Sequence, residues 1–478
     1  NRFTGTGTGF SFANFNAHEM AEAIKTAVGL YHIDSGAFEH LRYNAMTADY
    51  SFRRSAEAYA ELFLSLVDAD QSAKHDAASE ADRSPLGAVE TGSDVQLNVR
   101  DEAGYVASAV LEIYGDDYHR SYPMQRVDTG FTVFAKMPEE AQPLWYRVLL
   151  TYPDGGSQWL CASADGRHST LTSDQLEGFR LTVFEKDFET PAWLRHGVMY
   201  QIFPDRFARD DSDTAKKGYE AHKQRGQIVH VHEGWDEPVE WQNNMPDGSY
   251  MPYDFYGGTF KGIQSKLEEL KELGVTVLYL TPITECASNH RYDTGSYDIP
   301  DPILGSTEDF KELCEAAKAL GIKIILDGVF AHTGADSKYF NRDKHYPGAG
   351  AFHSSRSPYR KWYTFDEKYK NGYRSWWDFP ELPSIDTECA DWDKKIISGA
   401  KSVIKTWLRR GASGWRLDVA DEIEDSVLDH IRVSAKAEDP DAAVIGEVWE
   451  DAVTKCSYGA RRRYALGTSL DSVMNYPM

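Results

Sequence analysis

Cysteines are few in this chain, and their spacing indicates no common role. Five occur in 478 residues, they are widely scattered, and no two are spaced C-x-x-C. Structural zinc sites use such close pairs, and an odd number of scattered cysteines does not indicate a disulfide framework. We therefore expect free thiols in a reducing compartment, the cytosol.

Long apolar runs and an excess of positive charge are also lacking. No run reaches the roughly 18 apolar residues that a membrane-spanning helix needs, so no membrane partner is predicted. The formal net charge is −24 and the pI is about 5.0. Nucleic-acid partners demand a basic face, so they are not predicted either. These absences favour a cytoplasmic protein without a membrane or nucleic-acid partner.

Changes in residue pattern predict a multidomain chain. A short α-helical segment (1–69) is followed by a polar, Ala/Ser/Asp-rich linker (70–84). Short alternating strands with turn signals predict an N-terminal β-sandwich at 85–186. Strand and helix patterns then alternate through 187–478, as in an α/β barrel of the TIM type. About 333–385 is too long for one crossover and is predicted to be a small subdomain inserted after the third strand.

The helical segment carries a resemblance of its own. Asn16 is a predicted N-cap, and further helices are expected at roughly 36–47 and 55–67. The runs GTGFSFANFNAHEM and ADYSFRRSAEAYAELF resemble the extreme C-terminus of bacterial glycogen synthase. The catalytic motifs of that family would precede Asn1, so this resemblance implies no site residues. It predicts that the chain belongs to a longer, fused polypeptide.

Six short apolar runs in the last part of the chain are strand candidates. They are VMYQIF (198–203), VTVLYLTP (275–282), KIILDGVF (323–330), GWRLDV (414–419), AVIGEVW (443–449) and DSVMNY (471–476). One of the predicted intervening helices begins at Ser306, with Asp309 completing a capping box. Another carries Ile396, Val403 and Trp407 and runs to Gly411. Such alternation predicts a parallel sheet with right-handed crossovers.

Three of these runs end in an acidic residue: Asp327, Asp418 and Glu447. Carboxylates at the C-terminal ends of barrel strands are typical of catalytic sites. Arg416 and Asp418 lie two residues apart in a strand, so they share a face, and the arginine should keep the carboxylate ionised by lowering its pKa. An ordinary buried ion pair is the open alternative for this pair alone.

Glu447 follows Asp418 by about one strand–helix unit, so it should end the adjacent strand. Two carboxyl groups that flank one bond are the minimal requirement for glycoside hydrolysis. A separation of about 5–5.5 Å between them would predict retention of configuration through a covalent glycosyl-enzyme.

The motifs that contain these residues resemble the α-amylase superfamily of retaining α-glucoside hydrolases. DGVFAHTG, GWRLDVADE and EVWE are similar to three of its signatures, in the family's order. YQIFPDRF, YGGTFKGI and WWDFPELPSID resemble its neopullulanase, cyclomaltodextrinase and maltogenic-amylase branch. The resemblance implies cleavage of α-1,4 glucosidic bonds, with α-1,6 bonds as a second candidate, in maltooligosaccharides, starch, glycogen or cyclodextrins.

The resemblance also implies roles for individual residues. Asp418 would be the nucleophile and Glu447 the acid/base, while Arg416 would position Asp418. His332 and Asp327 would lie at the sugar ring being cleaved, with His332 donating to a hydroxyl. The remaining substrate-binding residue, Tyr292, would form a stacking platform beneath that ring.

The sequence departs from the family's pattern at two points. The residue before His332 is usually an asparagine that often binds calcium, and here it is Ala331. Calcium needs six to eight oxygen ligands, so it is not expected at this position. No metal and no cofactor is predicted, with calcium at another position as the open alternative. The family's third catalytic aspartate, after a histidine near the seventh strand, finds no counterpart before Met478. The chain is thus expected to be an incomplete barrel, inactive or nearly so by itself.

Two alternatives remain open. The same covalent intermediate can be intercepted by a sugar, so the protein could be an α-glucan transglycosylase. It could also be a non-catalytic glucan-binding module fused to a glycogen synthase. In each case the predicted partner is an α-glucan, and a homodimer of the full-length protein is a further expectation.

Overall fold

The computed structural model describes residues 9–11, 16–47, 73–242, 251–457 and 459–477. Two helices, Ala17–Ile33 and Ser35–Thr47, form the first part of the molecule. The side chain of Asn16 accepts a hydrogen bond from the Glu19 amide at 2.8 Å, which confirms the predicted N-cap. The helix expected at 55–67 lies outside the described residues.

Two β-sheets pack face to face in the second part. One contains the strands Arg83–Ser84, Asp94–Arg100, Gln125–Val127 and Gly130–Lys136. The other contains Val89–Glu90, Ser108–Tyr114, His119–Pro123, Gln142–Thr151, Ser157–Ala162, Ser169–Thr172 and Phe179–Phe184. Alternate residues of facing strands, such as Leu97 and Leu144, are fully buried in one shared core.

Residues 73–84 do not form a linker, so that prediction is wrong for the described portion of 70–84. Lys74 pairs with Arg100 in a β-bridge, and the buried Asp82 carboxylate forms an ion pair with Arg100 at 2.9 Å. The buried His75 ring contacts the Tyr146 hydroxyl at 2.8 Å. These partners are distant in the chain, so the polar composition of the segment gave no sign of them.

Six parallel strands form the sheet of the third part, and their spatial order is their chain order. They are Met199–Ile202, Val277–Leu280, Lys323–Gly328, Gly414–Leu417, Ala443–Gly446 and Ser472–Val473. Each lies within one of the six predicted runs. A parallel sheet in sequential order fits an incomplete barrel of the predicted type.

Helices connect these strands. The α-helices are Ala192–Arg195, Thr214–Gln224, Phe260–Ser265, Leu267–Glu272, Thr307–Ala319, Ala390–Asp393, Val403–Arg409 and Asp425–Glu438. Short 3-10 helices occur at Pro204–Arg206, Arg360–Trp362, Trp376–Asp378 and Ala420–Glu422, and a π-helix at Lys394–Ser398. The predicted capping box between Ser306 and Asp309 is present, and the helix that it begins buries Phe310, Leu313 and Ala317 against the sheet.

The helix predicted to run from Ile396 to Gly411 is interrupted. The π-helix Lys394–Ser398 ends at Gly399, whose backbone is extended at φ −61° and ψ 151°. Ser402 then caps a new helix by accepting from the Lys405 amide. A β-carbon on Gly399 would lie 2.3 Å from the Lys394 carbonyl oxygen, so the close approach of the two backbones requires glycine here.

Residues 333–385 contain little regular secondary structure and are held by aromatic packing. Phe340 stacks on Phe365 with ring centroids 5.7 Å apart and contacts Tyr363 and Tyr373. The segment shares its buried core with the barrel sheet. Small strand pairs occur elsewhere, at His230–Val231 with Asp254–Phe255, Thr284–Cys286 with Thr294–Pro300, and Cys456–Ser457 with Ala460–Arg461. Among the described residues, no helix is both long and apolar enough to cross a bilayer.

Candidate active site

Three carboxylates lie at one edge of the parallel sheet. Asp327 is the next-to-last residue of its strand, while Asp418 and Glu447 directly follow the ends of the next two strands. The register pairs Asp327 with Arg416, and Leu417 with Gly446, so the three acids are brought to the same level. The sequence prediction that these residues meet at the carboxyl ends of neighbouring strands is consistent with this register.

Arg416 joins the three carboxylates. Its Nη1 lies 2.9 Å from Asp327 Oδ1 and 2.9 Å from Asp418 Oδ1. Its Nη2 lies 2.9 Å from Glu447 Oε1. All four side chains are buried, with exposed fractions between 5% and 8%. One guanidinium therefore orients three acids, as its planar, five-donor geometry allows.

Glu447 is fixed from two further directions. The backbone amide of Val419 donates to Glu447 Oε2 at 2.8 Å, and the Tyr476 hydroxyl donates to Oε1 at 3.1 Å. Val419 has φ +40°, which is unfavourable for a β-branched residue. This strained residue follows Asp418 directly, so the backbone that turns after the strand also supplies a donor to the second carboxylate.

Tyr292 and His332 complete the network. The Tyr292 hydroxyl donates to Asp327 Oδ2 at 3.0 Å, and Nε2 of His332 lies 3.1 Å from the Tyr292 carbonyl oxygen. All six residues singled out in the sequence are thus linked through hydrogen bonds or ion pairs in one cluster around Arg416.

The direction of the Asp418 pKa shift differs from the sequence expectation. Burial raises the pKa of Asp418 well above its usual range, and the neighbouring Asp327 and Glu447 carboxylates raise it further. Arg416 lowers it, as expected, but one arginine does not offset burial together with two other acids. Burial likewise raises the pKa of Asp327. The cluster therefore holds a proton more firmly than isolated carboxyl groups would.

His332 is held in one tautomer. A carbonyl oxygen can only accept, so Nε2 carries the proton that is donated to Tyr292. Burial lowers the pKa of His332 to about 4, so the ring is neutral near pH 7. Its Nδ1 is buried without a hydrogen-bond partner among the described residues. The expected donation to a substrate hydroxyl would compete with the Tyr292 contact, whereas Nδ1 is free to accept.

Three aromatic residues of the site were not singled out in the sequence. The Tyr279 hydroxyl donates to Asp327 Oδ2, and Tyr476 contacts Glu447. The Trp376 ring stacks on His332 with centroids 5.9 Å apart. Tyr279 could have been found as the one residue with a polar tip in the apolar run VLYL, because its strand neighbours that of Asp327. Trp376 begins the run WWDFPELPSID, which resembles the family's neopullulanase branch, whereas Tyr476 carries no comparable signal.

An open cleft lies beside Glu447. It encloses about 190 Å³ and is lined by Trp377, Trp449 and Lys455 among others. Trp377 and Trp449 are largely exposed, and their rings meet edge to face at 6.0 Å. Exposed indole rings beside a carboxylate are suited to stacking on the apolar faces of sugar rings.

The residues present give little support for a metal ion. Ala331 has no side-chain oxygen, and its carbonyl already accepts from the Ile385 amide at 2.9 Å. In the parts of the chain that the structure describes, no three or more His, Cys, Asp or Glu residues are grouped to hold a metal. Calcium binding at another position in the protein stays an open alternative.

The family of this chain follows from comparison with known proteins. Residues 201–478 match the family model of the alpha-amylase catalytic domain. The chain belongs to the alpha-amylase family. That match includes all six network residues and the whole parallel sheet except its first two strand residues, but it does not extend to residues 1–69, so the resemblance to glycogen synthase stays a prediction.

Individual relatives agree with the family. An amylopullulanase of Thermoanaerobacterium saccharolyticum is 35% identical over 84% of this chain and 33% of its own length. Neopullulanase 2 of Thermoactinomyces vulgaris is 34% identical over 60% of this chain and 43% of its own. The chain spans only 23–33% of the amylopullulanases that it matches.

A solved structure shows the same fold. The type III pullulan hydrolase from Thermococcus kodakarensis superimposes with a TM-score of 0.51 at 24% identity, over 85% of this chain and 65% of that one. The similarity therefore extends beyond the parallel sheet to much of the preceding chain.

Proposed function

We propose that this chain carries the catalytic carboxylates of a retaining α-glucoside hydrolase. The substrates would be maltooligosaccharides, starch, glycogen or cyclodextrins, with α-1,4 bonds as the main linkage and α-1,6 bonds as a second one. The single observation that carries the proposal is the contact of one buried arginine with Asp327, Asp418 and Glu447, each within 2.9 Å. The relatives' names support glucan as the substrate class.

The proposed reaction has two displacements. A carboxylate oxygen of Asp418 attacks the anomeric carbon, the bond to the leaving oxygen breaks, and Glu447 donates its proton to that oxygen. Glu447 then removes a proton from water, which attacks the same carbon and releases Asp418. Each displacement inverts the configuration at the anomeric carbon, so the two together retain it.

The grouping of three acids around one arginine supports this division of roles. The reaction begins with one ionised carboxylate and one protonated carboxyl group close to the same bond. Arg416 contributes one positive charge against three acids, and burial disfavours three negative charges together. A cluster of several carboxyl groups around one arginine contains both the nucleophile and the acid that the reaction needs.

Trapping the covalent intermediate tests the proposal. With the full-length protein, we expect 5-fluoro-α-glucosyl fluoride to form an ester that mass spectrometry locates on Asp418 after proteolysis. Asp418→Asn should give no labelled peptide, whereas Glu447→Gln should slow release and leave the label in place longer. A label on another residue, or equal labelling of Asp418→Asn, would contradict the assignment of the nucleophile.

Transglycosylation is the second candidate, and the aromatic cleft beside Glu447 supports it. A sugar stacked on Trp377 or Trp449 could take the place of water as the acceptor. The ratio of transfer to hydrolysis products from maltotriose separates the two functions. The Trp449→Ala variant should lower that ratio if the cleft binds the acceptor.

Other aspects of the proposal rest on the sequence. Five cysteines, none in a disulfide, support a reducing compartment such as the cytoplasm. Fusion to a glycogen synthase and dimerisation of the full-length protein remain proposals, which the sequence of the complete gene and sedimentation of its product would test.

A further inference from the structure

Arg291 directly precedes Tyr292 and is held in an unfavourable backbone conformation. Its φ is +65°, and its side chain is fully buried. The backbone amide donates to Ser288 Oγ at 3.1 Å, and Nη1 donates to the Asn289 carbonyl at 2.6 Å. A non-glycine residue keeps such a conformation only where its surroundings enforce it.

Two buried carboxylates provide that enforcement. Nε of Arg291 lies 3.5 Å from Asp301 Oδ2, and its charge also acts on Asp205. Both acids are completely buried. Asp205 lies just after the first barrel strand and Asp301 just after the strand Thr294–Pro300. A buried arginine beside an acid is costly to remove, because Asp301 loses the cation that lies 3.5 Å from it.

Tyr292, the residue after Arg291, contacts the candidate active site at two points. The Tyr292 hydroxyl donates to Asp327, and its carbonyl accepts from His332. Displacement of this one residue would disturb both groups. Arg291 itself contacts none of the six network residues except through the chain, so any influence on them must pass through Tyr292.

We propose that Arg291 is a positioning residue, whose buried ion cluster with Asp205 and Asp301 holds Tyr292 against Asp327 and His332. This inference rests on the proposed function, because the glucosyl ring is the group that these three residues would contact. It predicts that the loss of Arg291 loosens the sugar-binding end of the site while Arg416, Asp418 and Glu447 keep their mutual contacts.

A merely structural arginine would lower stability and leave the site intact. Arg83 is a matched control, because it is 5% exposed, lies in the sandwich, and donates to the carbonyls of Arg180 and Gly87. The Arg83→Gln variant should lower the melting temperature without affecting any property of His332.

The deciding measurement is the titration of His332 by NMR of the ¹⁵N-histidine-labelled chain, with His332→Gln used for assignment. We expect Arg291→Gln to weaken the Tyr292 contact and to move the His332 pKa downward, because the hydrogen bond to the Tyr292 carbonyl raises that pKa. Arg291→Lys restores the positive charge and should give a smaller shift. A His332 titration that is unchanged in both variants overturns the proposal.

If Arg291→Gln does not fold, Arg291→Lys decides alone. Lysine cannot donate to the Asn289 carbonyl while its charge lies beside Asp301 in the way that the guanidinium does, so a downward shift is still expected. An Arg291→Lys titration identical to that of the unmodified chain then overturns the proposal.

Binding of maltoheptaose provides an independent double-mutant cycle. Arg291→Gln should weaken binding about tenfold in the unmodified background but add little in a Tyr292→Ala background, because its effect passes through Tyr292. Additive losses would overturn the proposal. If the unmodified chain binds no maltoheptaose, the proposed function fails, whereas the His332 titration still decides the role of Arg291.

Discussion

Arg416 is the residue on which the arrangement of the three acids depends. It lies two residues before Asp418 in the same strand and opposite Asp327 in the neighbouring one. Its side chain therefore reaches one acid through strand periodicity and another through sheet register. The third, Glu447, also accepts from Val419 and Tyr476, so its position is determined by the strained turn and by the segment after the sixth strand.

His332 should make stability depend on pH. Its pKa is about 4 in the folded chain, because of burial, and about 6.5 in an unfolded chain. Between these values the unfolded chain binds a proton that the folded one does not. The unfolding free energy that neutral, buried His332 contributes is fully present above pH 6.5. It falls by on the order of 3 kcal/mol as the pH drops toward 4.

Urea unfolding at several pH values between 7 and 4 measures this effect. His332→Gln should reduce the fall in unfolding free energy over that range, whereas His119→Gln, at an exposed position of the sandwich, should not. Equal pH dependence in the unmodified chain and His332→Gln would show that burial of this imidazole is not coupled to folding.

At the scale of elements, the effect of substituting Gly399 depends on whether the helix predicted from Ile396 to Gly411 is continuous or interrupted. If the helix were continuous, Gly399→Ala would stabilise it by about 1 kcal/mol. The structure instead brings the Lys394 carbonyl to 2.3 Å from the position of the new β-carbon. We therefore expect Gly399→Ala to destabilise the chain by about 1–3 kcal/mol in thermal or urea unfolding.

Gly29 offers the matched control. It lies inside the helix Ala17–Ile33, and a β-carbon there meets nothing within 4 Å. Gly29→Ala should therefore raise the helix content or stability of that segment slightly. If Gly399→Ala also stabilised the chain, the helix break at Gly399 would be contradicted.

At the scale of the whole molecule, the thiols report on packing in several parts at once. Cys161, Cys286 and Cys314 are buried, in the sandwich and in the barrel, and burial raises the pKa of Cys314 to about 12. Cys456 is exposed on the strand pair after the fifth barrel strand. With Ellman's reagent the folded chain should show one fast thiol, absent in Cys456→Ser, and five after denaturation.

Cys389 is partly exposed and should react more slowly. Rapid reaction of three or more thiols in the folded chain would show that the cores of the sandwich and barrel are open to solvent. Fewer than five thiols after denaturation without a reductant would indicate a disulfide, contrary to the expectation from cysteine spacing.

Local pattern was sufficient for the elements and for the positions of the acids. Apolar runs marked all six parallel strands, Asn16 and Ser306 marked helix starts, and Asp327, Asp418 and Glu447 stood at strand ends. Strand periodicity and capping depend on residues close in sequence, so the sequence alone carries that information.

Tertiary structure decided what depends on burial and on partners distant in the chain. The packing of 73–84, the break at Gly399 and the contacts of Tyr279 and Tyr476 all involve residues that no local pattern relates. The pKa of Asp418 is the clearest case. The sequence supplied its arginine and hence a lowered pKa, but only the fold removed water and placed two more acids beside it, which reverses the direction.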